Sequence, residues 1–276
     1  MSKNLVKRCL QEDLRTRGDI TTRATISTEQ AGEAIIKAKA EGVIAGQNIA
    51  RWVFESLDKK CQYGIEVEDG KEVKAGDVIA RISGKTWVIL VGERSALNIM
   101  GRSSGIATLT AQYVRAVDGT KAKISETRKT APGLRYLDKE AVRVGGGVNH
   151  RKGLHDAFLI KENHIAAAGG ISAAIVACRE YREKWYRYRI IVEVRNMEEY
   201  REALEAKPER ILLDNMTTEE LRTCVEVAHE SVELEASGGV TLETVRGIAE
   251  TGVDFISVGA LTHSAGVLDL SLLIVA

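Results

Sequence analysis

Ile190-Ile191-Val192-Glu193-Val194, then Glu198-Glu199-Tyr200-Arg201-Glu202-Ala203-Leu204, then Ile211-Leu212-Leu213-Asp214: a short apolar run, an amphipathic helical pattern, and a second apolar run ending in an acid. Short apolar runs alternating with helical patterns are what parallel β/α units require, because both faces of each strand are covered. Working outward, the same alternation extends in both directions. Ala122 to Ser125 and Ala157 to Ile160 precede it, and Val232 to Glu235 and Phe255 to Val258 follow, with Thr218 to His229 as a further helix. Six such units fit a closed or nearly closed β/α barrel. No GxGxxG follows the first strand, so a dinucleotide-binding sheet is not indicated.

Before this region the pattern differs. Up to about residue 92 a first helical stretch is followed by Gly-bounded alternating segments, Ala34 to Ala40 and Lys74 to Ile82, which read as half-buried strands. Glu68 to Ile82 also looks like the β module that carries biotin or lipoate, but no modified-lysine tip is present. Ser95 to Val117 reads as a long helical region interrupted near Ser103-Ser104-Gly105. The segment Arg179 to Arg189, with Trp185, Tyr186 and Tyr188, reads as a helix end and surface loop.

The chain of 276 residues carries 39 basic and 39 acidic side chains, and 44% of it is hydrophobic. That balance argues against a nucleic-acid surface. No apolar run approaches the ~20 residues of a membrane span, and Met1 to Arg8 leads into a charged segment rather than a signal peptide. The scattered Cys9, Cys61, Cys178 and Cys224 show no ligand spacing, and they predict a reduced, cytoplasmic protein.

Against this neutral background, Lys123 to Lys161 holds nine Lys or Arg and four Asp or Glu, a local excess of five positive charges. Interleaved glycines at Gly145-Gly146-Gly147 let a backbone approach a ligand, so this stretch predicts a pocket for a small polyanion. Barrels place their chemistry at the carboxyl ends of the strands. Those positions hold Arg128 and Lys129, then His150, Arg151 and Lys161, then Glu193, Asp214, Ser237-Gly238-Gly239 and Gly259-Ala260-Leu261-Thr262-His263. The two glycine loops precede helices and can take a phosphate on backbone N–H groups, or can simply make tight turns. Glu193 and Asp214 can hold Mg2+ shared with substrate phosphates, neutralise the neighbouring bases as ion pairs, or act as an acid/base pair. His150 can bond a ring nitrogen or carboxylate of a ligand, or serve structurally. His155 and His229 carry no signal.

Several motifs in register resemble the quinolinate phosphoribosyltransferase family over nearly the whole chain. They are Glu12-Asp13 with Gly18 to Thr22, Glu93-Arg94 with Ala96-Leu97-Asn98, and Ser104 to Thr108. The core is Thr127-Arg128-Lys129-Thr130 with Pro132-Gly133, Gly145 to Arg151, and Ile160-Lys161 with Asn163-His164. Leu212 to Asn215, Glu235 to Gly239 and Val258 to Ser264 complete the set.

The resemblance implies an α/β protein of type II phosphoribosyltransferase-like architecture. An N-terminal α/β sandwich domain over 1–104, rejoined by about 266–276, would accompany an incomplete six-stranded β/α barrel over 105–265. It implies Mg2+-dependent transfer of phosphoribosyl from 5-phosphoribosyl-1-pyrophosphate to quinolinate with decarboxylation, in de novo NAD biosynthesis. Quinolinate would meet Arg94, Arg128, His150, Arg151 and Lys161; Lys129 and Lys161 would reach the sugar donor, with Glu193 and Asp214 near its ribose and, directly or through water, the metal; Thr130 would also bind substrate. Lys129, Lys161, Glu193 and Asp214 are the implied catalytic set. Ser237, Gly238, Gly239, Gly259 and Ala260 would hold the 5′-phosphate, with His263 nearby. Arg94 would come from a neighbouring subunit, implying a homodimer or larger. One departure stands out: the family's acid-Val-acid on the third strand reads Ile191-Val192-Glu193 here. The alternatives are a molybdenum-associated paralogue and a non-catalytic phosphate- or dicarboxylate-binding barrel protein.

Overall fold

The computed structural model describes residues 2–185 and 188–275. The elements run α1 (Ser2–Leu14), α2 (Ile20–Thr25), β1 (Ala31–Ala38), β2 (Gly42–Val43), α3 (Gln47–Leu57), β3 (Gln62–Ile65), β4 (Glu72–Val73), β5 (Val78–Lys85) and α4 (Thr86–Ala116). They continue with β6 (Lys123–Ser125), α5 (Arg135–Val144), β7 (Phe158–Ile160), α6 (Glu162–Ala168), α7 (Ile171–Trp185), β8 (Ile190–Val194) and α8 (Met197–Ala206). The last are β9 (Arg210–Asp214), α9 (Thr218–Ala228), β10 (Glu233–Ser237), α10 (Val245–Ala249), β11 (Phe255–Ser257), α11 (Ala260–His263) and β12 (Leu270–Val275). Contacts divide the chain into two compact units. One is Met1–Ala111 with Thr130–Gly146 and Thr262–Ala276; the other is Gln112–Lys129 with Gly147–Leu261. The segment carrying α5 thus groups with the first unit, although sequence order sets it within the barrel stretch.

The first unit is built on a four-stranded antiparallel sheet, β12-β1-β5-β3, so the chain's last strand returns to pair with its first. Ile36, Ile79 and Ile82 come from this sheet and Ala50, Val53 and Phe54 from α3; all are buried in one core. The 50/53/54 spacing is the i, i+3, i+4 stripe of an amphipathic helix. Glu68 to Ile82 forms β4 and β5, which pair with β2 and with β1 and β3, so the carrier-module reading is replaced by a part of these sheets.

The expected interruption near Ser103-Ser104-Gly105 does not occur: α4 runs unbroken for 31 residues and begins at Thr86, well before Ser95. Its small residues answer to packing instead. A Cβ on Gly105 would lie 1.8 Å from the Gly266 carbonyl oxygen, and the buried Ser104 hydroxyl accepts from Ala45 N–H at 2.9 Å. Gly105→Ala should therefore lower the melting temperature sharply, at a cost of about 3 kcal/mol from overpacking. A thermal melt equal to that of the parent would contradict this close approach.

The second unit is a six-stranded parallel sheet in the order β6-β11-β10-β9-β8-β7. β8 is apolar at every position but Glu193, with Ile190, Ile191, Val192 and Val194 all buried, because helices cover its outer face and side chains fill the inner one. No hydrogen-bonded pairing joins the edge strands β6 and β7 among the described residues, so the barrel is incomplete. α7 ends at Trp185; Tyr186 and Arg187, part of the stretch read as helix end and surface loop, lie outside the described residues.

Register decides what faces the barrel interior. Glu193 lies beside Leu212, and Leu212 beside Glu235. Two residues further along, Asp214 lies beside Ser237, and Ser237 beside Ser257. Period-2 alternation sends both rows inward, one above the other at the carboxyl ends of the strands. Ile191 and Arg210, paired in register, lie one layer deeper.

Candidate active site

Both rows open into a cavity of about 370 Å³ lined by Thr127, Arg128, Lys129, His150, Arg151, Leu159, Lys161, Glu193, Leu212, Asp214, Glu235, Ser237 and Ser257. Four of those residues are permanent cations and three are carboxylates, and the local backbone explains how each is held.

After β6 the Thr127 hydroxyl accepts Lys129 N–H at 3.1 Å, a local turn that presents Arg128 and Lys129. Val148 N–H donates to the Ile124 carbonyl at 2.8 Å, laying the Gly147–Arg151 segment along β6. The buried Glu126 carboxylate accepts His150 N–H at 3.1 Å. The loop that follows is closed by Asp156, whose oxygens accept Lys152 N–H at 2.7 Å and Gly153 N–H at 2.9 Å. Burial would raise the Asp156 carboxyl, but those bonds and the neighbouring His155 outweigh it and hold it below the usual carboxylate range. Lys161 stands before α6, where its N–H donates to His164 Nδ1 at 3.0 Å. The Asn163-His164 motif therefore fixes the Lys161 backbone, and the lysine side chain pairs with Glu193.

The two arginines are the unusual feature. The Nε atoms of Arg128 and Arg151 are both buried with no protein acceptor. Among the described residues the Arg151 guanidinium has one hydrogen bond, from NH1 to the Ala157 carbonyl at 3.3 Å. Burial and the neighbouring Arg128 charge push the Arg151 guanidinium below its ordinary pKa, against a partial offset from Asp156 and Glu193. Buried donors without acceptors are costly. Two of them on adjacent cations make a place where an anion with several oxygens is stabilised most.

His150 is held from both sides. Its Nδ1 accepts Arg151 N–H at 2.7 Å, which places the ring proton on Nε2, and Nε2 stands 3.4 Å from Glu235 Oε1. Its side chain is only 6% exposed, so the ring is held internally where it lines the cavity. Glu235 is 0% exposed and pairs with Arg210 at 2.9 Å. Burial would raise its carboxyl, but the His150 hydrogen bond, Arg210 and Ser257 together hold it below the usual carboxylate range.

Of the residues expected at the site, Arg128, Lys129, His150, Arg151, Lys161, Glu193, Asp214 and Ser237 line the cavity. Thr130, His263 and Arg94 belong to the first unit. Thr130 Oγ1 accepts from Arg135 Nε at 3.1 Å, and His263 Nδ1 lies 2.6 Å from Ser264 Oγ. Arg94 is exposed on α4. Gly238, Gly239, Gly259 and Ala260 follow β10 and β11 but are not in the lining. Neither glycine loop opens a long helix: α10 starts only at Val245 and α11 has four residues. Gly238 has φ +100°, and a Cβ there would lie 2.2 Å from Asn215 Oδ1, so packing alone requires it. Gly239 has φ +59° and open space around its would-be Cβ, leaving its backbone accessible to a ligand.

Glu193 is committed to Lys161, whereas Asp214 forms no ion pair among the described residues and accepts only from Asn215 Nδ2, at 2.9 Å. No group of three or more His, Cys, Asp or Glu suited to a metal occurs among the described residues. Glu126, Glu235, Arg210 and Ser257 went unread in the sequence. The available signal was an acid, Glu235, between the buried Leu234 and Ala236 of β10. Such an acid must have a buried partner.

Residues 19–104 match the quinolinate phosphoribosyl transferase N-terminal domain, and residues 106–273 match the C-terminal domain of the same family. The chain belongs to the quinolinate phosphoribosyltransferase family. It is 43% identical over 271 residues to the probable nicotinate-nucleotide pyrophosphorylase (carboxylating) of Bacillus subtilis (strain 168), covering 98% of this chain and 92% of that one. It is 44% identical over 286 residues to the chloroplastic nicotinate-nucleotide pyrophosphorylase (carboxylating) of Arabidopsis thaliana, covering 98% and 82%. The structure of the nicotinate-nucleotide pyrophosphorylase from Francisella tularensis matches with a TM-score of 0.91 at 38% identity, over 99% of this chain and 96% of that one. Within this family fold the Ile191 departure has a structural setting. Ile191 is 4% exposed, below Glu193 and outside the cavity lining, so it removes no ligand contact that the cavity itself offers.

Proposed function

We propose that this chain transfers the 5-phosphoribosyl group of 5-phosphoribosyl-1-pyrophosphate to the ring nitrogen of quinolinate, releasing pyrophosphate and CO2 and forming nicotinate mononucleotide, a step of de novo NAD biosynthesis. The observation that carries this reading is the pair of buried, acceptor-less Nε groups on Arg128 and Arg151. A dicarboxylate supplies the oxygens that these two cations lack, in the planar geometry a guanidinium favours.

Chemistry follows from charge placement rather than from a nucleophilic side chain. Arg128, Arg151 and Lys161 hold the pyridine dicarboxylate with its ring nitrogen turned toward the sugar donor. As the C1–pyrophosphate bond breaks, positive charge develops on the ribose, and Glu193 and Asp214 stabilise it. Lys129 meets the departing negative charge. Bonding of C1 to nitrogen makes the ring cationic. The 2-carboxylate then leaves as CO2, its bonding pair stays at C2 beside the cationic nitrogen, and C2 is protonated. The backbone of Ser237, Gly238, Gly239, Gly259 and Ala260 receives the 5′-phosphate.

The carboxylates Asp214 and Glu193 are hard oxygen donors suited to Mg2+, held directly or through water together with substrate oxygens. Bound there, Mg2+ would supply positive charge to offset that of the pyrophosphate leaving group. Arg94 completes the dicarboxylate site from a neighbouring subunit, so the working unit is a homodimer or larger.

The test is release of CO2 and nicotinate mononucleotide from quinolinate, the sugar donor and Mg2+, with nicotinate run in parallel. Stoichiometric release from quinolinate only is expected. Quinolinate binding without either product would overturn the reaction and favour a silent binder.

A further inference from the structure

A continuous polar line runs through the second unit, from Arg210 up to residues that line the cavity. Arg210 lies with its guanidinium carbon 3.6 Å from the centre of the Phe255 ring. Its Nε and NH2 donate to Glu233 at 3.0 and 2.8 Å, and its NH1 donates to Glu235 Oε2 at 2.9 Å. Glu235 Oε1 takes the Ser257 hydroxyl and faces His150 Nε2. His150 Nδ1 in turn accepts the N–H of Arg151. The line starts on a fixed cation in the barrel interior and ends on the backbone of a cavity arginine.

We propose that Glu235 is a positioning residue for dicarboxylate recognition, acting through the His150 tautomer on the backbone of Arg151. The inference rests on the dicarboxylate reading of the cavity. Its argument is one of donors and acceptors. Arg210 can only donate, and the ring with Nδ1 already accepting can only donate from Nε2. The group between them must therefore accept on both of its oxygens, which an ionised carboxylate does and a carboxamide cannot. Glutamine at this position would have to turn its oxygen to Arg210, whose place Glu233 and Phe255 fix. Its NH2 would then face His150 Nε2. Two donors in contact repel, and the ring relieves the clash by carrying its proton on Nδ1, which ends the bond from Arg151 N–H. Arg151 is already set against the repulsion of Arg128, so a loosened backbone lets the two guanidiniums separate. A second buried carboxylate, Glu126, accepts the backbone N–H of His150.

The experiment compares the full-length wild type with Glu235→Gln by three readouts. These are ¹⁵N NMR of the His150 ring, assigned with His150→Asn; calorimetric titration with pyridine-2,3-dicarboxylate and, separately, with 5-phosphoribosyl-1-pyrophosphate; and thermal melting. The wild-type ring is expected as Nε2–H, and the variant ring shifted toward Nδ1–H. Dicarboxylate affinity should fall roughly 10- to 100-fold, as misplacement of a binding group by about an ångström produces, while affinity for the sugar donor stays within about twofold.

Wild-type Nδ1–H, an unchanged variant tautomer, or unchanged dicarboxylate affinity would each overturn the inference. Parallel loss of both ligands with a lowered melting temperature would make Glu235 merely structural. Should Glu235→Gln not fold, Glu235→Asp keeps both acceptors and is expected to keep the Nε2–H tautomer. A shifted tautomer there counts against the proposal. Turnover is scored apart from binding: a wild type that binds dicarboxylate but makes no product refutes the reaction and leaves the positioning result standing.

Discussion

Arg128→Ala lowers kcat/KM for quinolinate by about 10²- to 10³-fold and leaves the melting temperature unchanged or slightly raised. The activity loss follows from what the guanidinium is for. No hydrogen bond or ion pair from Arg128 to protein is present among the described residues, its Nε is buried without an acceptor, and its charge depresses the pKa of its neighbour Arg151. Truncating one partner of a buried, hydrogen-bonded charge pair costs on the order of 2–5 kcal/mol, at about 1.4 kcal/mol per factor of ten. The same facts predict the stability result, since the fold loses no bond and sheds a repulsion. Lys161→Ala gives a comparable loss of activity, but it strips Glu193 of its partner, so a small drop in melting temperature accompanies it. Steady-state kinetics and thermal melts check both variants. Full turnover by either would refute the assignment of the cavity.

Equal mixing of inactive Arg94→Ala and Lys161→Ala chains restores activity if sites form between subunits. Arg94 is an exposed arginine on α4 without a hydrogen bond or ion pair among the described residues. An isolated surface charge of this kind has no role in the fold, and the family resemblance gives it one in a neighbour's site. In a two-fold dimer a hybrid holds one site with both defects and one with neither. Random exchange then yields hybrids as half the population, each with one working site of two, or roughly a quarter of wild-type activity. Native mass spectrometry confirms exchange, and the assay reads the recovery. Proven exchange without recovery would place both residues in one chain's site.

Much of this protein could be read from its residues because the barrel strands obey a local rule. Runs such as Ile190 to Val192 and Ile211 to Leu213 are apolar on both faces, and the residues that follow them, Glu193 and Asp214, are the first positions free to be polar. Strand ends therefore announce themselves, and with them most of the cavity lining. Long-range packing has no such signature. Ser103-Ser104-Gly105 reads as a break because small polar residues weaken an isolated helix, but a close approach by Gly266 and a bond to Ala45 require those residues in an unbroken α4. The glycine loops are similar: Gly238 is fixed by Asn215 on another strand end, a contact that no local pattern predicts.

Composition and motif order alone determined the α/β class, the strand count of the barrel and the basic character of the site, since these depend on periodicity and on residues near in sequence. Only the tertiary structure decided how those charges are spent. It committed both nitrogens of His150 internally, paired Lys161 with Glu193, left the Arg128 and Arg151 Nε groups without acceptors, and buried Glu235 between Arg210 and His150. The reason is physical: the energy of a charge depends on its burial and on partners brought from distant parts of the chain, and folding alone sets both.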